Sequence, residues 1–219
     1  MRYYKSLKKV ISAFLSLSIT LLYCPLSVYA SDISGFTQTS GTFNIEANKI
    51  SGSTGFRQYD NFNLTQGDIA NLIYKDGYSK FVNLVNNQVN INGIVNTMKG
   101  NNFYNGHAIF VSPNGIVVGA SGVLNVGSLS LLTPTLNTYN SFLNNYNTGN
   151  LSSYEFGANK YNSLITDSHG NVVINGKILS RGDVNIHGDN ITIEGNSAQK
   201  AGIIAGWQDN STTFTQQDV

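Results

Sequence analysis

The sequence predicts an all-β chain wound as a parallel β-helix, and three observations carry that expectation. First, short apolar runs recur at close intervals. In residues 107–135, which read HAIFVSPNGIVVGASGVLNVGSLSLLTPT, successive runs are headed by Ile109, Ile116, Val123 and Leu129 at spacings of 7, 7 and 6. Three such strand-and-turn units take about 20 residues, within the range of solenoid repeats. Second, these runs are parted by Ser-Pro-Asn-Gly, Gly-Ala-Ser-Gly and a lone Gly127, and the alternating stretches elsewhere by Asn-Gly, Gly-Asp and Gly-Asn pairs, residue types that tolerate the left-handed backbone of tight turns. Third, only 11% of residues are charged, less than half of the ~25% usual in globular domains. Stacked turns place like residues above one another, where Asn side chains can ladder by hydrogen bonding and like charges would repel. An antiparallel sandwich is the weaker reading, since it calls for longer strands and turn signals every ~8 to 12 residues.

From the start of the chain, residues 1–30 read as a secretory leader. Arg2, Lys5, Lys8 and Lys9 supply the positive start, residues 10–22 an apolar stretch, and Val28-Tyr29-Ala30 a small-x-small cleavage site between Ala30 and Ser31. The apolar stretch is too short for the roughly 20 residues of a spanning helix. The single cysteine, Cys24, leaves with the leader, which argues against a disulfide scaffold or a thiolate metal site in the rest. Residues 31–219 are long enough to bury a core as one domain. Of the 13 Lys and Arg, four lie in the leader, so the remainder is outnumbered by the 12 Asp and Glu. That balance is no footprint for nucleic acid or an anionic membrane.

Strands are expected where apolar and polar residues alternate: Val89-Asn-Ile-Asn-Gly-Ile94, Val173-Ile-Asn-Gly-Lys-Ile178, Val184-Asn-Ile186 and Ile191-Thr-Ile193. Residues 66–74 and 79–85 could each make a turn or two of helix. Residues 136–162, rich in Asn and Tyr, read as a long loop or hairpin laid outside the main body. Ile109, Val111, Ile116, Val118, Leu129 and Leu131 are expected to point into one core, with Ser121 in a turn where a charge costs little.

Four blocks then carry a resemblance: Phe62-Asn-Leu64; Phe81-Val-Asn-Leu-Val-Asn-Asn-Gln-Val-Asn-Ile-Asn-Gly-Ile94; Ala108-Ile-Phe-Val-Ser-Pro-Asn-Gly-Ile116; and Val123-Leu-Asn-Val-Gly-Ser-Leu129. In order and spacing they resemble the amino-terminal secretion domain of the filamentous haemagglutinin family, the exoproteins of bacterial two-partner secretion. The likeness runs from about Ile33 through Ala201-Gly-Ile-Ile-Ala-Gly206. It implies a right-handed parallel β-helix that passes the general secretion machinery and the periplasm. A dedicated outer-membrane transporter with periplasmic docking domains would then export it, to be secreted or held at the bacterial cell surface. Adhesion, lysis or toxin delivery, and any host-cell surface ligand, would belong to regions downstream. The family signature Asn-Pro-Asn-Gly-Ile falls on Ser112, Pro113, Asn114, Gly115 and Ile116, with Ser112 departing from it. Ser and Asn can both accept a backbone N–H from two residues on, so the turn is expected to survive. A second family motif, Asn-Pro-Asn-Leu, is absent, which places the chain nearer the adhesin-like branch. Pro113 fixes φ and Asn114-Gly115 can take a positive φ, so a turn alone explains the motif as well as a transporter contact does.

Catalytic and metal-binding patterns are thin, and no cofactor is expected. His107, His169 and His187 are too scattered for a ligand pair, and no nucleophile elbow or phosphate loop is present. Asp167-Ser168-His169 invites a triad, but sequence neighbours rarely face one another. Asp183 and Asp189 around His187 loosely suggest a calcium roll, which one copy cannot build. Arg181-Gly182-Asp183 spells an integrin-binding tripeptide where a turn is expected anyway. The alternative to a secretion module is a secreted β-helical enzyme acting on polysaccharide, which would need paired carboxylates; the acids here are spread singly. Residues 212–219 show no cap, which suggests the leading piece of a longer β-helical exoprotein or a truncated relative of one.

Overall fold

A computed structural model of the chain describes residues 30–151, 167–195 and 200–206. Residues 1–29 of the expected leader and the stretch 212–219, where no cap is expected, lie outside them. The fold is all-β in its body, made of short strands: β1 (Asp32–Ile33), β2 (Thr42–Glu46), β3 (Lys49–Ser51), β4 (Thr54–Tyr59), β5 (Phe62–Leu64), β6 (Ile69–Ile73), β7 (Lys80–Val85), β8 (Val89–Ile91), β9 (Ile94–Lys99), β10 (Asn102–Phe103), β11 (His107–Val111), β12 (Ile116–Val118), β13 (Val123–Val126), β14 (Ser128–Leu132), β15 (Val172–Ile174), β16 (Lys177–Ser180), β17 (Val184–His187), β18 (Ile191–Ile193) and β19 (Gly202–Ile204). Three sheets result: β1-β5-β8-β12-β15-β18, β19-β16-β13-β9-β6-β2 with β10 beside β9, and β17-β14-β11-β7-β4-β3.

From β4 onward, β10 aside, the chain visits the third, first and second sheets in rotation, so successive strands sit in different sheets. Each strand pairs in parallel with its counterpart one round away, as β5 with β8 and β8 with β12. Among the described residues, antiparallel strand pairs are confined to β1 with β5, β3 with β4 and β10 with β9. The sandwich reading is thereby overturned.

Register makes columns of like residues. Phe62, Val89, Ile116 and Val172 stack in the first sheet, and beside them Leu64, Ile91, Val118 and Ile174. All eight belong to the main core and are at most 1% exposed. A polar column forms in the second sheet, along β2, β6, β9 and β13. Asn71 donates to Asn44 at 3.0 Å, Asn96 to Asn71 at 3.2 Å and Asn125 to Asn96 at 3.0 Å, an amide ladder within strands, where the expectation had put such ladders in the turns.

Four expectations are corrected. Ile109 and Val111 are buried, but in a second cluster with Phe56, Val82, Leu84 and Leu132, while Ala108, Phe110, Leu129 and Leu131 face the main core. The register explains it: Leu129 pairs with Ala108 and Leu131 with Phe110, which puts Ile109 and Val111 on the other face. Residues 79–85 form no helix, since 80–85 are β7; within 66–74 the chain makes a turn and then β6. The described part of 136–162 is not a loop but begins with the helix α1 (Leu136–Thr148). Its signals are local: the Thr135 hydroxyl accepts from Thr138 N–H at the start, Gly149 adopts the left-handed conformation at the end, and Tyr139, Phe142 and Tyr146 share one buried face. That face covers Ile109 and Val111.

His107 shows how this packing sets a charge state. It is half-buried on β11, with Nε2 2.8 Å from Ser130 Oγ and Lys80 paired beside it in register. Burial, and then the Lys80 charge, pull its pKa down to about 4. The neutral imidazole is therefore the folded form, and the unfolded chain binds the extra proton below its ordinary pKa of about 6.5. Stability should be complete above about pH 6.5 and fall by up to roughly 3 kcal/mol as pH drops through 4. Urea midpoints across that range, compared with a His107→Gln variant that lacks this component, measure it.

Candidate functional site

The corner that leads from the third sheet to the first recurs once per round and carries the signature. Its levels are Asp60-Asn61 before β5, Asn86-Asn87-Gln88 before β8, and Ser112 to Gly115 before β12. Side chains tie the levels together. Asn86 donates to Asp60 Oδ1 at 2.6 Å, Asn87 to Asn61 Oδ1 at 2.7 Å, and Asn61 to Asp32 Oδ2 at 2.7 Å.

The five signature residues form the next level of this stack, with Asn171 and Asn190 of later rounds beyond them, and have divided tasks. Ser112 is fully buried; its Oγ donates to Asn87 O at 2.8 Å and accepts from Asn114 N at 3.2 Å. The hydroxyl thus makes the turn bond expected of Asn or Ser at this position. Pro113 is buried in the turn. Gly115 takes φ 95°, whereas no non-glycine residue described has a positive φ, so Asn114 does not share the left-handed conformation expected of the pair. Ile116 N–H donates to Asn171 O at 3.0 Å and its side chain enters the main core. Asn114 is exposed, and its amide donates to Asn86 O at 2.7 Å.

Sequence reasoning missed Asp60, Asn61, Asn86, Asn87 and Tyr139, whose hydroxyl donates to Asn86 Oδ1 at 2.8 Å. The signal was present: an Asp-Asn or Asn-Asn pair precedes both Phe62 and Val89, at a separation of 26 residues.

The corner from the first sheet to the second has a different feature. Four residues join β5 to β6 and β12 to β13, but only Asn92-Gly93 joins β8 to β9. The short turn is recessed between two projecting ones, each closed by its own backbone bond, Asp68 N to Thr65 O and Gly122 N to Gly119 O. The result is a notch of about 320 Å³ lined by Thr65, Gln66, Asn92 and Ser121, none of them ionisable. Ser121 Oγ donates to Asn92 O at 2.7 Å, so this turn is less indifferent to substitution than expected.

The remaining candidates do not converge. Asp167 meets the hydroxyls of Thr135 and Thr138 at the start of α1, which hold its carboxyl below the usual range, while His169 is exposed. Arg181 lies 3.7 Å over the Phe103 ring and donates to Asn125, and Gly182 N–H donates to Gly127 O at 2.6 Å, so part of the tripeptide is built into the fold. Among the described residues no group of three or more His, Cys, Asp or Glu could hold a metal ion, the set around His187 included. Ala30 is exposed and Ser31 is buried.

Fold and site together define an all-β chain of parallel sheets whose signature-bearing corner presents an amide-rich surface with the carboxylates of Asp32 and Asp60 set in it. No family model, curated protein or solved structure matches it.

Proposed function

We propose that residues 31–219 are the secretion-directing domain of a bacterial exoprotein of the filamentous haemagglutinin type, with the three sheets as the faces of a right-handed parallel β-helix. An outer-membrane transporter with periplasmic docking domains reads the Ser112 to Ile116 corner, and the chain's task is export and interaction, not catalysis. The observation that carries this reading is the division of labour in the signature. Ser112, Pro113, Gly115 and Ile116 are buried in the turn and core, while Asn114 alone of the five is exposed. A turn needs no particular side chain at that position, so a specific amide there suits recognition.

The test follows from the same geometry. Asn114→Ala gives up one exposed hydrogen bond, to Asn86 O, and should leave the circular dichroism spectrum and urea midpoint nearly unchanged. In cells carrying the cognate transporter, it should lower the exported fraction on the order of tenfold, the effect of one lost recognition bond of about 1.4 kcal/mol. The chain should then accumulate in the periplasm. Export of Asn114→Ala at wild-type yield would remove the amide from the reading. Gly115→Val is the uninformative variant, because a Cβ there would stand 2.9 Å from Asn171 O at a φ of +95°.

A further inference from the structure

The expected cleavage point lies one residue before β1. Ser31 is 2% exposed. Its N–H donates to Thr39 O at 2.8 Å, and its Oγ donates to Asp68 Oδ2 at 2.6 Å while accepting from Thr65 N at 2.8 Å. Asp68, 6% exposed, is saturated in turn: Thr65 Oγ1 donates to Oδ2 at 2.8 Å and Gly41 N to Oδ1 at 2.7 Å. The next two residues are gripped as well. Asp32 pairs with Asn63 and accepts from the Asn61 amide at 2.7 Å, and Ile33 pairs with Phe62 and is 1% exposed.

A peptidase takes its substrate as an extended segment on both sides of the scissile bond, using the backbone groups and side chains that this seating occupies. We infer that folding closes the leader's cleavage site: with Ser31 seated on Asp68, the Ala30–Ser31 bond is cut only after local unfolding of β1. This rests on reading residues 1–30 as a leader and adds an order of events to it, in which the leader is removed before the first strand docks. The step is hydrolysis. The Ala30–Ser31 C–N bond breaks, and water supplies hydroxide to the Ala30 carbonyl and a proton to the Ser31 amine. Asp68 is the latch, 37 residues from the bond it protects.

The full chain with its leader, refolded in detergent, can be exposed to a bacterial signal peptidase beside three variants. Ile116→Asp, expected not to fold and checked by circular dichroism, is the open reference and should be cut at Ala30–Ser31. The folded wild type should be cut about 100-fold more slowly or less, since cleavage then follows the rare opening of a strand end. Asp68→Asn leaves the scissile sequence untouched but cannot accept all three bonds, and should be cut about tenfold faster than wild type. Ser31→Ala, still a small residue, should move the same way, and covers the case in which Asp68→Asn fails to fold. Equal rates for wild type and Ile116→Asp overturn the proposal and leave the leader standing. An Ile116→Asp chain that mass spectrometry finds uncut overturns the leader reading and the proposal together. A folded Asp68→Asn chain as slow as wild type removes the latch from Asp68.

Discussion

Ile116→Asp should abolish folding, with a loss of about 5 kcal/mol or more, against the ~5 to 15 kcal/mol that a whole domain possesses. Ile116 is fully buried, between Val89 and Val172 in a column of the main core. Losing the side chain forfeits about 1.5 to 3 kcal/mol of burial, and a carboxylate in its place has no partner. Val117, its neighbour on β12, is only half-buried and lies between Asn90 and Val173 on the outer face. Val117→Asp should therefore cost less than half as much. Ser121→Asp should cost about 1 kcal/mol, the bond to Asn92 O. Far-UV circular dichroism and urea titration of the three variants read the order directly. Equal losses at 116 and 117 would contradict the inward and outward assignment.

The second large effect is expected at Gly127, the lone residue that turns β13 into β14. Its φ is unexceptional, so the requirement is for space. A Cβ there would lie 2.3 Å from the Asn105 carbonyl carbon and 2.5 Å from Gly106 O, both backbone atoms of the previous round. The residue is also tied on both sides: its N–H donates to Thr97 Oγ1 at 3.2 Å, and its carbonyl accepts from Ser180 Oγ at 3.0 Å. Gly127→Ala must push successive rounds apart and should cost about 3 kcal/mol. Gly77→Ala is the control. There φ is +102° and nothing stands within 4 Å of the missing Cβ, so the cost should be about 1 kcal/mol of backbone strain alone. Thermal unfolding of the pair separates crowding from conformation.

The parallel arrangement was legible because turn residues announce themselves one by one, and the intervals between Ile109, Ile116, Val123 and Leu129 leave little room for hairpins. What misled was the third sheet. Its strands are covered on one face by the main core and on the other by α1, so β7 is buried at five of its six residues and β11 at four of its five. Such strands lose their alternation and read as continuous apolar runs. The phase at Ile109 and Val111 therefore had no local clue, and Lys-Phe-Val-Asn-Leu-Val was as compatible with a helical turn as with a strand. The helix α1 was hidden differently: its Asn and Thr content argues for loop, while the spacing of Tyr139, Phe142 and Tyr146 argues for a helix face, and tertiary packing decides in favour of spacing. The signature corner was half legible. Pro113 and Gly115 identify a turn, but nothing in the local sequence places Asn86 and Asn87 beneath it.

The excursion between β14 and β15 has a consequence for how such a chain can change. The chain leaves the stack at Leu132, makes α1, and returns at Val172, where β15 lies on β12 as though nothing had intervened: Ile116 meets Val172 and Val118 meets Ile174. Register is thus fixed by what each strand lies on and not by how much chain separates it from the strand before. A loop opened at a corner adds entropy of closure that grows only with the logarithm of its length, and it disturbs no ladder. Corners are therefore places where whole segments can be grafted, lengthened or lost while the stack keeps its phase, and α1 is one such graft that has found a sheet face to cover.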